Sequence, residues 1–192
     1  MSFPNLLSLL RIILSPVFLF LFLSASPLNK KLSLIVFFIA VITDWYDGWH
    51  ARKFGLISKF GIFIDPLADK ILTSAAFISF YILGIMPLWM VAIIVMRDIL
   101  ITLMRSYHEI NGITMKTSFI AKTKTFIQMT YIFIVVILVC LISFNIGDSA
   151  KTFITDLLYS NINYIIILFI TMITLFTGVS YFFEKNNHVK TN

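Results

Sequence analysis

Four of the nine acidic residues in this 192-residue chain, Asp44, Asp47, Asp65 and Asp69, lie between positions 44 and 69, at the ends of two long apolar runs. An ionised carboxylate near membrane depth costs several kcal/mol unless it is paired or bound to metal, so four together demand compensating positive charge. Arg52 and Lys53 supply two charges, whereas Lys70 directly follows Asp69 and is expected to point elsewhere on its helix. One or two divalent cations balance the sum better. With oxygen ligands only and no Cys or His in the cluster, a hard ion such as Mg2+ or Mn2+ is favoured over zinc. His50, the nearest imidazole, reads as an interfacial residue.

The spacing tells which faces carry these acids. Asp44 and Asp47 are three apart and Asp65 and Asp69 four apart, so each pair projects from one face of a helix. A short loop joins the two runs, which makes them antiparallel neighbours whose acidic faces can meet. Gly48, Ala51 and Gly61 leave room beside the acids. Such small residues serve close helix packing in a membrane bundle, and they also let a metal-bound pyrophosphate approach the backbone.

The elements that position this cluster must be membrane helices. Hydrophobic residues make up 59% of the chain and charged residues 12%, and the mean hydropathy is +0.97, outside the usual range of soluble domains. Six apolar runs, at about 6–24, 32–51, 62–83, 88–105, 125–143 and 162–183, approach the ~20 residues a spanning helix needs. Unpaired backbone groups are too costly in lipid for anything but helices at this length, and no β-barrel alternation is present. The expectation is therefore an all-α, six-transmembrane-helix bundle forming a single membrane domain over 1–192. Breaks fall at Ser26-Pro27, at Gly84 to Pro87 and at Asn145 to Gly147.

The first run lacks a basic n-region and is interrupted by Pro4, Arg11 and Pro16, so it does not read as a cleavable signal peptide. Cys140 lies alone inside the fifth run and is expected to pack rather than react. Trp45, Tyr46, Trp49 and Trp89 read as interfacial anchors. The net charge of +6 sits beside membrane segments without any nucleic-acid motif, so it bears on topology instead. Arg11, Arg52, Lys53, Lys59, Arg105, Lys116, Lys122, Lys124, Lys185 and Lys190 fall to one side, against Lys30, Lys31 and Lys151 on the other. Both termini are expected to be cytoplasmic.

In order, Asp44, Asp47, Gly48, Ala51, Arg52, Gly61, Asp65 and Asp69 spell D-x2-D-G-x2-A-R-x8-G-x3-D-x3-D. This resembles the signature of the CDP-alcohol phosphatidyltransferases at every specified position. The resemblance implies a usually dimeric six-helix membrane fold around a polar cavity open to the cytoplasm, in a bacterial cell membrane. It implies that Asp44, Asp47 and Asp65 bind divalent metal, and that Asp69 is the general base and also touches metal. It further implies that Asn5, Gly48, Ala51, Arg52 and Gly61 bind the CDP-lipid, with Arg52 a phosphate partner. A CDP-linked lipid as substrate and CMP as leaving group follow from the same resemblance.

Flanking segments bear on the acceptor. Asn5-Leu6-Leu7-Ser8-Leu9-Leu10-Arg11 is similar to an N-x-x-T-x-x-R lead-in, with Ser8 in place of Thr. Asp65 to Lys70 reads D-P-L-A-D-K, Arg97-Asp98 precedes Arg105, and Ala121 to Met129 matches G/A-K-x-K-T-x-x-Q-M. Together with Gly178, Ser180 and Tyr181 these resemble the branch of the family that takes CDP-diacylglycerol and glycerol-3-phosphate. Arg97, Arg105, Lys122 and Lys124 then become candidates for the acceptor phosphate, although flanking cations also suit anionic headgroups. Arg97 interrupts an apolar helix and must face a polar interior, with Asp98 its partner or only its neighbour. Transfer to serine, an inositol phosphate or phosphatidylglycerol is the alternative, and a cation transporter using buried acids is a more distant one.

Overall fold

The computed structural model describes residues 3–54, 59–111, 119–144 and 146–189, with side chains for 6–43, 61, 63–111, 119–144 and 146–181. Among the described residues the chain forms seven helices and no strand: α1 (Phe3–Leu23), α2 (Pro27–Phe54), α3 (Lys59–Ile82), α4 (Leu88–Ile110), α5 (Phe119–Ile142), α6 (Asp148–Leu158) and α7 (Asn161–Val189). The all-α expectation agrees with this. Three helices carry described stretches long and apolar enough to cross a membrane, Leu6–Leu23, Phe119–Ile142 and Asn161–Tyr181.

The helices extend past several of the apolar runs, as α5 does from Phe119 and α4 does to Ile110. α2 begins at Pro27, five residues before Leu32 opens the run, because proline suits the first helical turn, where no N–H is needed. α6 is an eleven-residue helix where the apolar runs mark only a connection. It is too short and polar to register as an apolar run, yet Ile154 and Leu158 bury one of its faces.

α1 packs on α2 and α3, α3 on α4, and α4 on α7, while α5 lies against α2, α3, α6 and α7. Aromatic rings tie these helices together. Phe18 lies 5.2 Å from both Phe22 and Phe37, and Phe80 lies 6.3 Å from Phe22 and 6.2 Å from Tyr131. These are the offset and edge-on separations that ring quadrupoles favour. Outside this core the surface stays apolar: Phe20 is 75% exposed, Phe126 73% and Met96 63%. Lipid rather than water is the matching solvent for such a surface.

Polar groups inside the bundle are satisfied locally. Ser79, Thr171 and Thr174 donate their hydroxyls to the carbonyls four residues earlier, the usual arrangement for hydroxyls in apolar helices. Cys140 is fully buried between α2 and α5, its sulfur 3.3 Å from the Lys30 carbonyl oxygen and 3.9 Å from Ser33 Oγ. The thiol packs, as its position suggests.

α3 ends in a tight turn. Gly84 adopts φ +75, its N–H donates to the Tyr81 carbonyl and that of Ile85 to the Phe80 carbonyl, both at 2.9 Å. That pair of bonds closes a helix through a left-handed residue, and buried Ile85 and Phe80 supply its apolar contact. Tyr159 Oη then donates to the Leu83 carbonyl at 2.7 Å, tying the α6–α7 turn to it.

Candidate active site

α3 presents Asp65 and Asp69 one helical turn apart. Ser8 on α1 donates its hydroxyl to Asp65 Oδ1 at 2.5 Å, and Ser8 is fully buried. Gly61, one turn before Asp65, is buried as well. Asp69 Oδ2 pairs with Lys70 Nζ at 3.4 Å. Lys70 therefore does not point away from its neighbour: its four-carbon stem folds the ammonium back.

A cavity of about 710 Å³ opens beside Asp69 between α3, α4, α5 and α7. Lys70, Arg97, Arg105 and Lys122 line it, with Glu109 the second acid after Asp69. Two carboxylates and four cations thus face a single volume, large enough for a phosphorylated small molecule. Thr177, Ser180 and Tyr181 close it from α7.

Asp98 is buried beside the cavity, and three side chains converge on its carboxylate. Arg97 Nη1 donates to Oδ1 at 3.0 Å, Lys124 Nζ to Oδ1 at 2.5 Å, and Gln128 Nε2 to Oδ2 at 3.0 Å. Asp98 is thus the partner of Arg97 as well as its neighbour. Lys124, whose side chain is only 2% exposed, is occupied by this carboxylate and is absent from the cavity lining. Here the structure departs from a free ammonium offered to phosphate, because burying Lys124 without a counter-charge would be costly. Arg11, which the sequence groups with the flanking cations, is fully buried within the bundle.

Asn5, Asp44, Asp47, Gly48, Ala51 and Arg52 lie where side chains are outside the described residues, although their backbones belong to α1 and α2. The same holds for His50, Trp45, Tyr46 and Trp49. Among the described residues no three His, Cys, Asp or Glu side chains cluster. Asp65 and Asp69 nevertheless offer oxygen donors from one helix face, a donor chemistry that fits a hard divalent cation. Three contributors to the site are poorly marked in the sequence. Ser8 shows only as a replaced Thr, Lys70 is disguised by its adjacency to Asp69, and Glu109 carries no signal at all.

An all-helical membrane protein with an aspartate of the signature and four cations on one cavity is the setting in which the eight-residue signature has meaning. The chain belongs to the CDP-alcohol phosphatidyltransferase family, whose model matches residues 1–177. Over 182 residues, 94% of this chain and 93% of the relative, it is 32% identical to the CDP-diacylglycerol--glycerol-3-phosphate 3-phosphatidyltransferase of Rickettsia bellii. The Bacillus subtilis protein of the same name is 36% identical over 140 residues, 67% of this chain and 72% of the relative. A probable phosphatidylglycerophosphate synthase of Mycobacterium tuberculosis is 35% identical over 130 residues, 66% of this chain and 62% of the relative.

Proposed function

We propose that this protein transfers the phosphatidyl group of CDP-diacylglycerol to glycerol-3-phosphate, releasing CMP and forming phosphatidylglycerophosphate in a bacterial cytoplasmic membrane. The observation that carries the reading is the shared cavity of Asp69, Lys70, Arg97, Arg105 and Lys122. An acceptor with two negative charges and a hydroxyl needs cations for its phosphate and a base for its proton. A cavity built for serine has less use for three cations away from the aspartates, whereas an inositol phosphate would use them as glycerol-3-phosphate does and is separated by the test below.

In this reading Asp69 takes the proton of the attacking glycerol hydroxyl, and Lys70 orients its carboxylate. Arg97, Arg105 and Lys122 hold the acceptor phosphate, Arg97 and Arg105 with planar forks suited to two oxygens. Lys124 acts through Asp98. Asn5, Gly48, Ala51, Arg52 and Gly61 receive the CDP-lipid. Asp44, Asp47, Asp65 and Asp69 would hold Mg2+ or Mn2+, which would neutralise the diphosphate and the charge developing on its oxygens. The same reading includes six spans over one domain, cytoplasmic termini and a homodimer.

The test is an acceptor panel. Purified protein in micelles of CDP-diacylglycerol with Mn2+ is given glycerol-3-phosphate, serine, an inositol phosphate or phosphatidylglycerol, and CMP release is followed. Glycerol-3-phosphate should be preferred by at least about a hundredfold, the discrimination a polar site commands when its charged groups are left unpaired. A preference for serine would overturn the acceptor assignment.

A further inference from the structure

Arg97 is held from three sides. Its Nη1 donates to Asp98, its Nη2 donates to Thr177 Oγ1 on α7 at 2.8 Å, and its stem lies across Gly178. A Cβ on Gly178 would meet Arg97 Cγ at 3.0 Å and Nε at 3.3 Å, so the glycine is the bed on which the stem rests. Asp98 is itself fixed by Lys124 and Gln128 from α5. On α4 the cavity lining begins at Arg97 and runs outward to Glu109, which puts the guanidinium at the inner end. Two of its five N–H groups are used by Asp98 and Thr177, and the fork keeps others for an anion in the cavity.

We infer that Asp98, Thr177 and Gly178 form a clamp that fixes the Arg97 guanidinium as the inner phosphate rest for the acceptor, with Asp98 as the principal positioning residue. This deepens the proposed function and rests on it. The charges fit the role. Arg97 and Lys124 against one carboxylate leave a single positive charge, and Lys124 is sealed from the cavity, so that surplus is presented through Arg97. Without Lys124 and Gln128 the carboxylate would be free to rotate, and Arg97 with it. The clamp also joins α4, α5 and α7, the three helices that bear most of the cavity wall.

The experiment is steady-state CMP release with glycerol-3-phosphate and CDP-diacylglycerol varied in turn, on Asp98→Asn, Thr177→Val and Gly178→Ala. Each should raise KM for glycerol-3-phosphate, by about tenfold or more for Asp98→Asn, the factor that one charge-assisted hydrogen bond commands. KM for CDP-diacylglycerol should stay within about threefold by the same measure, since only the acceptor meets Arg97. Asp98→Glu should recover part of the loss. The double variant Asp98→Asn with Lys124→Gln removes the buried charge imbalance. A merely structural carboxylate would be rescued by it, whereas the clamp would not. If Asp98→Asn fails to fold, Gly178→Ala and Thr177→Val carry the same test. Unchanged acceptor KM in the folded variants overturns the clamp while wild-type turnover of glycerol-3-phosphate preserves the function. A wild-type protein indifferent to glycerol-3-phosphate overturns both.

Discussion

Ser8 and Asp65, 57 residues apart in the chain, are joined by a hydrogen bond from the serine hydroxyl to Asp65 Oδ1. The bond links the N-terminal helix to the aspartates of α3 and leaves Oδ2 for other work. Its position gives the lead-in Asn5 to Arg11 a physical role, since a buried hydroxyl on α1 orients one carboxylate of the site.

Ser8→Ala removes that donor from a fully buried position, where an unmet acceptor costs about 1–3 kcal/mol. The Mn2+ concentration needed for half-maximal turnover should rise several-fold, while Ser8→Thr, which keeps the hydroxyl, stays near wild type. A metal titration of the three proteins checks this. An alanine variant with wild-type metal demand would show that Asp65 needs no such support.

Asp69→Asn should lower turnover by roughly 10²–10⁴, the range for loss of a general base, with CDP-lipid binding largely spared. Asp44→Asn and Asp65→Asn should instead weaken nucleotide and metal binding together, and a chelator should silence the wild type until Mn2+ is returned. Calorimetry with a CDP-lipid, with and without Mn2+, separates the two behaviours. Near-normal turnover in Asp69→Asn would remove it as the base.

Lys122 and Lys124 are two residues apart and should behave differently. Lys122 faces the cavity, so Lys122→Met should raise the acceptor KM with little change in melting temperature. Lys124 is sealed against Asp98, so Lys124→Met should destabilise the protein by about 1–3 kcal/mol, the cost of a lost buried hydrogen bond where Arg97 and Gln128 still hold the carboxylate. Thermal melts in detergent alongside kinetics give both numbers, and equal effects of the two variants would contradict the assignment.

Gly84→Ala should cost about 1–2 kcal/mol, because an alanine at φ +75 crowds its own carbonyl. The space itself is adequate, since the nearest foreign atom to a Cβ there is on Tyr159 at 3.9 Å. Gly84 lies past the end of α3 remote from Asp65 and Asp69, so kcat should be untouched. A melting curve and a rate measured on the same preparation decide it.

Much of this architecture can be read from residue order because its signals are local. Apolar runs mark helices, and the acids at three- and four-residue spacing mark helix faces. What order does not carry is long-range pairing. Asp98 meets Lys124 and Gln128 across 26 and 30 residues, and nothing in the Arg97-Asp98 dipeptide points to them. Lys70 misleads for another reason: adjacency fixes where its Cβ starts but not where a flexible ammonium ends. α6 is the converse case, since Ala150, Phe153, Ile154, Leu157 and Leu158 repeat with helical period in a segment otherwise too polar to draw notice.

The chain has one cysteine, Cys140, and it is sealed inside the bundle. This chain is thus already a quiet background for thiol-directed probes. A second cysteine placed at Lys31 or at Asn111 would meet an impermeant maleimide with Cys140 buried, so labelling of intact cells against opened ones would read out which side of the bilayer each position occupies, with no need to rebuild the interior first.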